Sequence, residues 1–267
     1  MKQNLKGVPE TLLIPLWARA VESENSDPIV KDNKAVEMME QIDYDFSKFE
    51  KEWATQISIA IRTEILDNAT LAFMNKHNDG VIINIGCGLD TRFSRLDNDK
   101  IRWYDLDLPE SIHLRKQFFR ESDHYKMIAK SVYDYSWIDD ITNKKHVLII
   151  AEGLFMYFTE KEVNELLDKL VNNFPQAEML IETIPLSLVK QSQTQDIIKK
   201  QYQMDLQFHW GIKNGKDIEK LNNRIEFIED WHYFDYHRDR WKIIRWISVI
   251  PVFKSRFGNR IIHLKLG

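Results

Sequence analysis

The chain has 267 residues, 43% hydrophobic and 12% aromatic, enough for one large domain with a well-formed core or one domain with an appended lid. Its 37 basic and 41 acidic residues leave a formal charge of −4, which excludes a global pull toward nucleic acid. Cys87 is the single cysteine, so an intrachain disulfide and a thiolate zinc site are excluded and a cytoplasmic location is expected.

The stretch Met1–Glu10 is polar and no apolar run reaches the ~18 residues of a membrane span, so neither a secretion signal nor a membrane partner is expected. The histidines show no paired spacing of the HExxH kind, and no metal is expected. Residues 1–75 read as helical, through Leu12–Trp17, Ala35–Met39 and Trp53–Met74, with a loop over Ser23–Pro28. The pattern then changes. Val81–Ile85 is a short β-branched run, apolar except for Asn84, that ends in Gly86-Cys87-Gly88, as a buried parallel strand entering a glycine turn does. Ile101–Leu106 is a second strand, with Pro109 at a helix start. Met127–Ala129 and Val147–Ala151 follow as strands, and Thr159-Glu160-Lys161-Glu162 supplies a capping box for a helix over Val163–Phe174.

Met179–Thr183 is a fifth strand, and Arg224–Phe234 and Arg260–Leu266 are two late ones, the last with room only for an antiparallel approach. Between them Leu186–Met204 reads as helical and lid-like. The fold class is therefore α/β, a doubly wound, mostly parallel seven-stranded sheet with N-terminal helices and a helical lid insertion. Residues 1–75 form a cap, 76–184 the nucleotide-binding core, 185–223 the lid and 224–267 the final strands of one domain. A basic cluster near the end (Arg238, Arg240, Lys242, Arg245, Lys254, Arg256) reads as the solvated face of an amphipathic helix, with a phosphate-binding patch as the alternative.

Three segments carry chemistry. Gly86 and Gly88 let the backbone turn sharply and approach a ligand without a Cβ in the way. NAD, FAD and S-adenosylmethionine (SAM) domains all use such a turn. Here Asp90 and Thr91 stand where a third glycine of G-x-G-x-x-G is needed, and Arg92 follows, a poor cradle for a pyrophosphate and a tolerable one for a phosphate-free cation. In Tyr104-Asp105-Leu106-Asp107-Leu108-Pro109 an acid lies about 20 residues beyond the turn, where a ribose diol is bound. The alternative is that one of the two acids caps the helix at Pro109. Glu152-Gly153 follows the apolar run Val147–Ala151 at the carboxyl edge of the sheet, suited either to a ligand's ammonium or sugar or to a structural salt bridge.

Together these stretches resemble the leucine carboxyl methyltransferase family, in a bacterial branch similar to tetracenomycin-type polyketide O-methyltransferases. The strings are Ile82-Ile83-Asn84-Ile85-Gly86-Cys87-Gly88-Leu89-Asp90-Thr91-Arg92, Asp105-Leu106-Asp107-Leu108-Pro109 with Arg115-Lys116, and Glu152-Gly153-Leu154-Phe155-Met156-Tyr157. Upstream, Thr11–Ala20 and Ile61-Arg62-Thr63 match as well, so the resemblance covers nearly the whole chain. It implies a class I, Rossmann-like methyltransferase that takes SAM and acts in polyketide biosynthesis. Arg62 would reach the SAM carboxylate. Gly86, with Cys87 and Gly88, would line its homocysteine, Asp107 with Asp105 would hold the ribose, and Glu152 with Gly153 would lie at the methionine end. The family's Asp-Leu-Arg before a Trp is replaced here by Ser131-Val132-Tyr133, so Ser131 or the backbone of Val132 would take over the adenine contact.

The reaction so implied is in-line transfer of methyl to an oxygen of a small acceptor, driven largely by alignment. A carboxylate acceptor needs no base; a hydroxyl does, with His209, His232 and His237 as candidates and Tyr157 as an orienter. Each histidine is also compatible with a structural role, and no catalytic base is assigned. Phe208, Trp210 and Trp17 suit a flat acceptor or a place in the core. A protein or small-acid carboxyl methyltransferase, a nicotinamide-dependent oxidoreductase and an inert SAM-binding protein are the competing readings.

Overall fold

A computed structural model of the chain describes residues 10–194 and 207–267. Seven strands form one sheet: β1 (Val81–Ile85), β2 (Arg102–Asp107), β3 (Tyr125–Ala129), β4 (Val147–Ala151), β5 (Glu178–Thr183), β6 (Ile225–His232) and β7 (Arg260–Leu266). Their order is β3-β2-β1-β4-β5-β7-β6. The pairs from β3 to β5 are parallel, while β7 runs antiparallel to both β5 and β6. The antiparallel last strand thus follows the expectation set by the short connection before it.

Period-two alternation explains why the central strands are apolar on both sides. Val81, Ile83 and Ile85 face one core cluster and Ile82 the other, so both faces of β1 are buried. One face is covered by α1 (Leu13–Ser23), α2 (Asn33–Gln41) and α3 (Trp53–Lys76). The other receives α6 (Glu160–Asn173), which follows α4 (Arg92–Leu96) and α5 (Pro109–Arg115) in the chain. The capping box of α6 is present, with Thr159 Oγ1 accepting from Glu162 N–H while Glu162 accepts from Thr159 N–H. Pro109 occupies the first turn of α5, where its missing N–H is not needed.

Of the lid-like stretch, α7 (Leu186–Thr194) is a helix; residues 195–204 of the sequence expectation lie outside the described residues. The basic cluster differs from expectation. Instead of one amphipathic helix there is a 3-10 turn over Arg238–Trp241, then two short helices, α8 (Ile244–Ile247) and α9 (Pro251–Phe257). Pro251 cannot continue a preceding helix but can begin one, so the run is broken there.

Candidate functional site

The carboxyl ends of β1, β2 and β4 open on a cavity of about 920 Å³, in the place where open α/β sheets bind ligands. Nine of the residues expected in the site line it: Arg62, Gly86, Cys87, Gly88, Asp107, Ser131, Val132, Glu152 and Gly153. Gly86, Gly88 and Gly153 all have positive φ (67°, 47° and 63°), so the turns they make depend on their lacking a Cβ. The turn after β1 is fixed by Gly86 and Cys87 N–H groups donating to Leu106 O at 2.8 and 3.1 Å.

Asp107 closes that turn from β2. One of its oxygens accepts from Gly88 N–H at 2.7 Å and the other from Leu108 N–H, also at 2.7 Å. Burial nevertheless pushes its carboxyl above the usual range, against the pull of those donors. Its carboxylate is thus held at the cavity wall with lone pairs to spare. Asp105, two residues earlier on the same face of β2, is placed differently. It is fully buried outside the cavity, accepting from Trp103 Nε1 (3.0 Å), Tyr125 OH (2.7 Å) and Arg115 Nη2 (2.5 Å). Its role here is to anchor Arg115, which in turn donates to the Gly88 and Asp90 carbonyls and braces the glycine turn from below.

Beneath the other end of the cavity runs a buried chain of ion pairs. Arg62, on α3, binds Glu152 at 2.6 Å and Glu182 at 2.8 Å. Arg92 joins Glu152 (2.7 Å), Asp90 (2.7 Å) and Asp67 (2.8 Å), and Arg95 continues to Asp67 and Asp32, where Arg19 completes the series. Burial raises the carboxyls of Asp90 and Glu152, but the adjacent arginines outweigh it and hold both below the ordinary carboxylate range. Five carboxylates (Asp32, Asp67, Asp90, Glu152, Glu182) face four guanidiniums (Arg19, Arg62, Arg92, Arg95), which leaves one negative charge in excess. The salt-bridge alternative for Glu152 is therefore realised, by a residue that also faces the cavity. Arg62 Nε is buried and, among the described residues, has no acceptor.

At the far wall, Ser131 Oγ accepts from Tyr133 N–H, while Val132 O accepts from Trp137 Nε1 at 3.0 Å. Glu182 was missed by the sequence reading. It accepts from Gly153 N–H and from Tyr233 OH, both at 2.8 Å, and lines the cavity. The signal that marked Glu152, an acid at the end of an apolar strand, was available for it too. Among the described residues, no histidine lines the cavity. His209 is exposed, and His237 pairs with Glu64 at 2.8 Å. Tyr157 does line it, and burial with Glu182 nearby pushes its hydroxyl up to about 12, so at neutral pH it is a donor. Phe208 lines the cavity, whereas Trp17 and Trp210 belong to the core.

His232 sits outside the cavity with Nδ1 buried and, among the described residues, unpartnered, and burial beside Arg260 and Lys254 lowers its pKa to about 4. The folded chain thus stays unprotonated where the unfolded chain, titrating near 6.5, takes up a proton. Stability contributed by the neutral ring is complete above about pH 6.5 and is lost as pH falls toward 4. Melting temperatures measured across that interval are expected to fall less steeply for His232→Asn than for the parent; equal slopes would refute the assignment.

The sequence profile of the leucine carboxyl methyltransferase family matches residues 13–171. The tetracenomycin polyketide synthesis O-methyltransferase TcmP of Streptomyces glaucescens is 30% identical over 97% of this chain and 97% of its own length. The SAM-dependent methyltransferase dpfgK of Gibberella zeae is 30% identical over 65% of this chain and 63% of its own. Among solved structures, one from Thermobifida fusca assigned provisionally to the methyltransferases superposes with a TM-score of 0.58 at 14% identity, covering 98% of this chain and 99% of that one. The magnesium protoporphyrin IX methyltransferase of Synechocystis with bound S-adenosylhomocysteine (SAH) gives 0.52 at 10% identity, over 88% and 94%. These likenesses show the class I methyltransferase fold.

Proposed function

Because this chain belongs to the leucine carboxyl methyltransferase family and is a SAM-dependent methyltransferase, we propose that it methylates an oxygen, hydroxyl or carboxylate, of a small apolar acceptor of aromatic or polyketide-like shape. The observation that carries this reading is one cavity with an ion network at one end, the Asp107 carboxylate on its wall and an apolar remainder. SAM is a phosphate-free nucleoside with a net positive charge, and it supplies an electrophilic methyl group when bound. The single negative charge in excess beneath the cavity matches it, where a dinucleotide's phosphates would be repelled.

The residues present fit such a ligand. The orphaned Arg62 Nε suits its carboxylate, and Glu152 and Glu182 suit the ammonium. Asp107 has acceptor capacity left for a ribose diol. A Cβ on Gly86 would come within 2.9 Å of Leu154 Cδ1 at the cavity wall, and its φ of 67° would strain any other residue there. Val132 O is engaged by Trp137 Nε1, and Ser131 Oγ, which accepts from Tyr133 N–H, still has its own O–H to offer an adenine nitrogen. Of the expected cap and lid, the described residues that line the cavity include Leu12 and Ile14 from the first and Leu188, Gln191 and Phe208 from the second, which suits a cover over the acceptor.

At about 920 Å³ the cavity lies near the top of the ~300–1,000 Å³ range of small-molecule sites, room for donor and acceptor together. Met156, Phe158 and Phe208 give the acceptor end an apolar lining. The Tyr157 hydroxyl, protonated at neutral pH, donates to the acceptor oxygen and orients it. An acceptor that ionises unaided, a carboxylate or an acidic phenol, then suits the site best. Formation of SAH is expected with a panel of aromatic hydroxy acids, the products separating by alkaline lability into methyl esters and ethers. Tight SAM binding with no SAH across phenols and acids alike would instead favour the inert binding protein.

A further inference from the structure

The inward side chains of the segment after β6 complete the cavity: Trp241, Ile244 and Phe257 line it. Among the described residues, most of its outward apolar side chains are left exposed. Neither α8 nor α9 buries a residue. Of the eleven exposed large hydrophobic side chains among the described residues, seven lie within 243–257, with Ile243 79%, Val252 72% and Trp246 68% exposed. Scattered exposed hydrophobics are ordinary, but a concentration in one short segment marks a contact surface.

The charge of this surface says what it meets. Residues 242–257 hold no Asp or Glu, while Lys242, Arg245, Lys254 and Arg256 lie among them, in a chain whose net charge is −4. Arg245 lies over the Trp246 ring at 4.6 Å and Arg256 over Phe257 at 5.6 Å, so cations border the aliphatic run with their stems along it. Lys254 is neutralised by Asp235 and is not counted among them. A second copy seated on the same face would set this acid-free basic segment against itself, because a two-fold interface uses the same patch on both copies. An anionic lipid surface asks for no such shape match. It accepts exposed Ile, Val and Trp into the headgroup boundary and attracts the cations beside them.

We propose that the outer face of residues 242–257 docks on an anionic lipid bilayer, with the cavity wall formed by the inner face of the same segment. The expectation of no membrane partner is revised to this extent only. Among the described residues no helix is long and apolar enough to cross a membrane, and surface docking requires none.

The test is flotation with vesicles of phosphatidylcholine alone or mixed with phosphatidylglycerol. The chain is expected to float with the mixed vesicles, to release as salt is raised, and to bind at least about tenfold more weakly as Trp246→Ser/Val252→Ser. Arg245→Gln and Arg256→Gln are each expected to weaken it roughly fivefold. Unchanged melting temperature and SAH affinity confirm that the variants are folded. Any of three results overturns the proposal: no binding of the parent chain to phosphatidylglycerol vesicles, equal binding by the double variant, or a patch-dependent dimer that ignores vesicles.

Discussion

An Arg92→Leu chain is expected to lose about 3–5 kcal/mol of folding stability, a large part of the ~5–15 kcal/mol that holds a typical domain together. Arg92 is fully buried and touches three carboxylates, Asp67, Asp90 and Glu152, at 2.7 to 2.8 Å. Leucine fills much of the volume but takes from Asp90 its one close counterion and from Asp67 and Glu152 one of two, leaving Arg95 and Arg62 to hold them, and a buried charge left short of a partner is costly. Urea denaturation should show a lower midpoint at an unchanged slope, since the surface exposed on unfolding is the same. A loss under about 1 kcal/mol would mean that water reaches the network, and that its charges are not buried as described.

Arg62→Ala is expected to weaken SAM binding by two orders of magnitude or more, the equivalent of about 3–5 kcal/mol for a desolvated, charge-assisted contact. The variant removes the guanidinium that bridges Glu152 and Glu182, so it both deletes a carboxylate partner and leaves two acids facing each other. Arg62→Lys separates these effects. It keeps the charge but loses the fork geometry, and intermediate affinity is expected. Equal affinity in parent, lysine and alanine forms, read by calorimetry, would remove Arg62 from the donor site and confine it to the ion network.

The parts of the fold legible in the sequence were those with a local physical signature. Val81–Ile85 and Val147–Ala151 are apolar on both faces, and their strand limits agree with the apolar runs residue for residue. Strand β2 was less clear, because Asp105 and Asp107 interrupt its pattern. Both acids point to the same face, and only depth separates their roles. Two residues at ~3.3 Å each put Asp105 inside the sheet and Asp107 at its rim. Depth along a strand has no sequence signature, so Asp105 was grouped with the ribose site although the structure gives it to Arg115. Glu152 and Glu182 had the same signal, yet what they pair with depends on α3, which lies far away in sequence. Such long-range pairing is invisible to spacing. The late basic segment failed for another reason. Charge periodicity there suggested an amphipathic helix, but Pro251 divides it and its hydrophobics face outward.

The proposed donor site depends on Asp107, at the end of β2, holding the ribose, and one comparison reaches that contact directly. SAH and its 2′-deoxy analogue are titrated calorimetrically into the parent chain and into Asp107→Ala. The parent is expected to prefer SAH by roughly tenfold or more, the worth of one hydrogen bond to a charged acceptor, and the variant to bind SAH more weakly and to treat the two ligands alike. A variant that binds SAH as tightly as the parent, or that keeps the full preference for the 2′-hydroxyl, would place the sugar elsewhere and contradict the site as a whole.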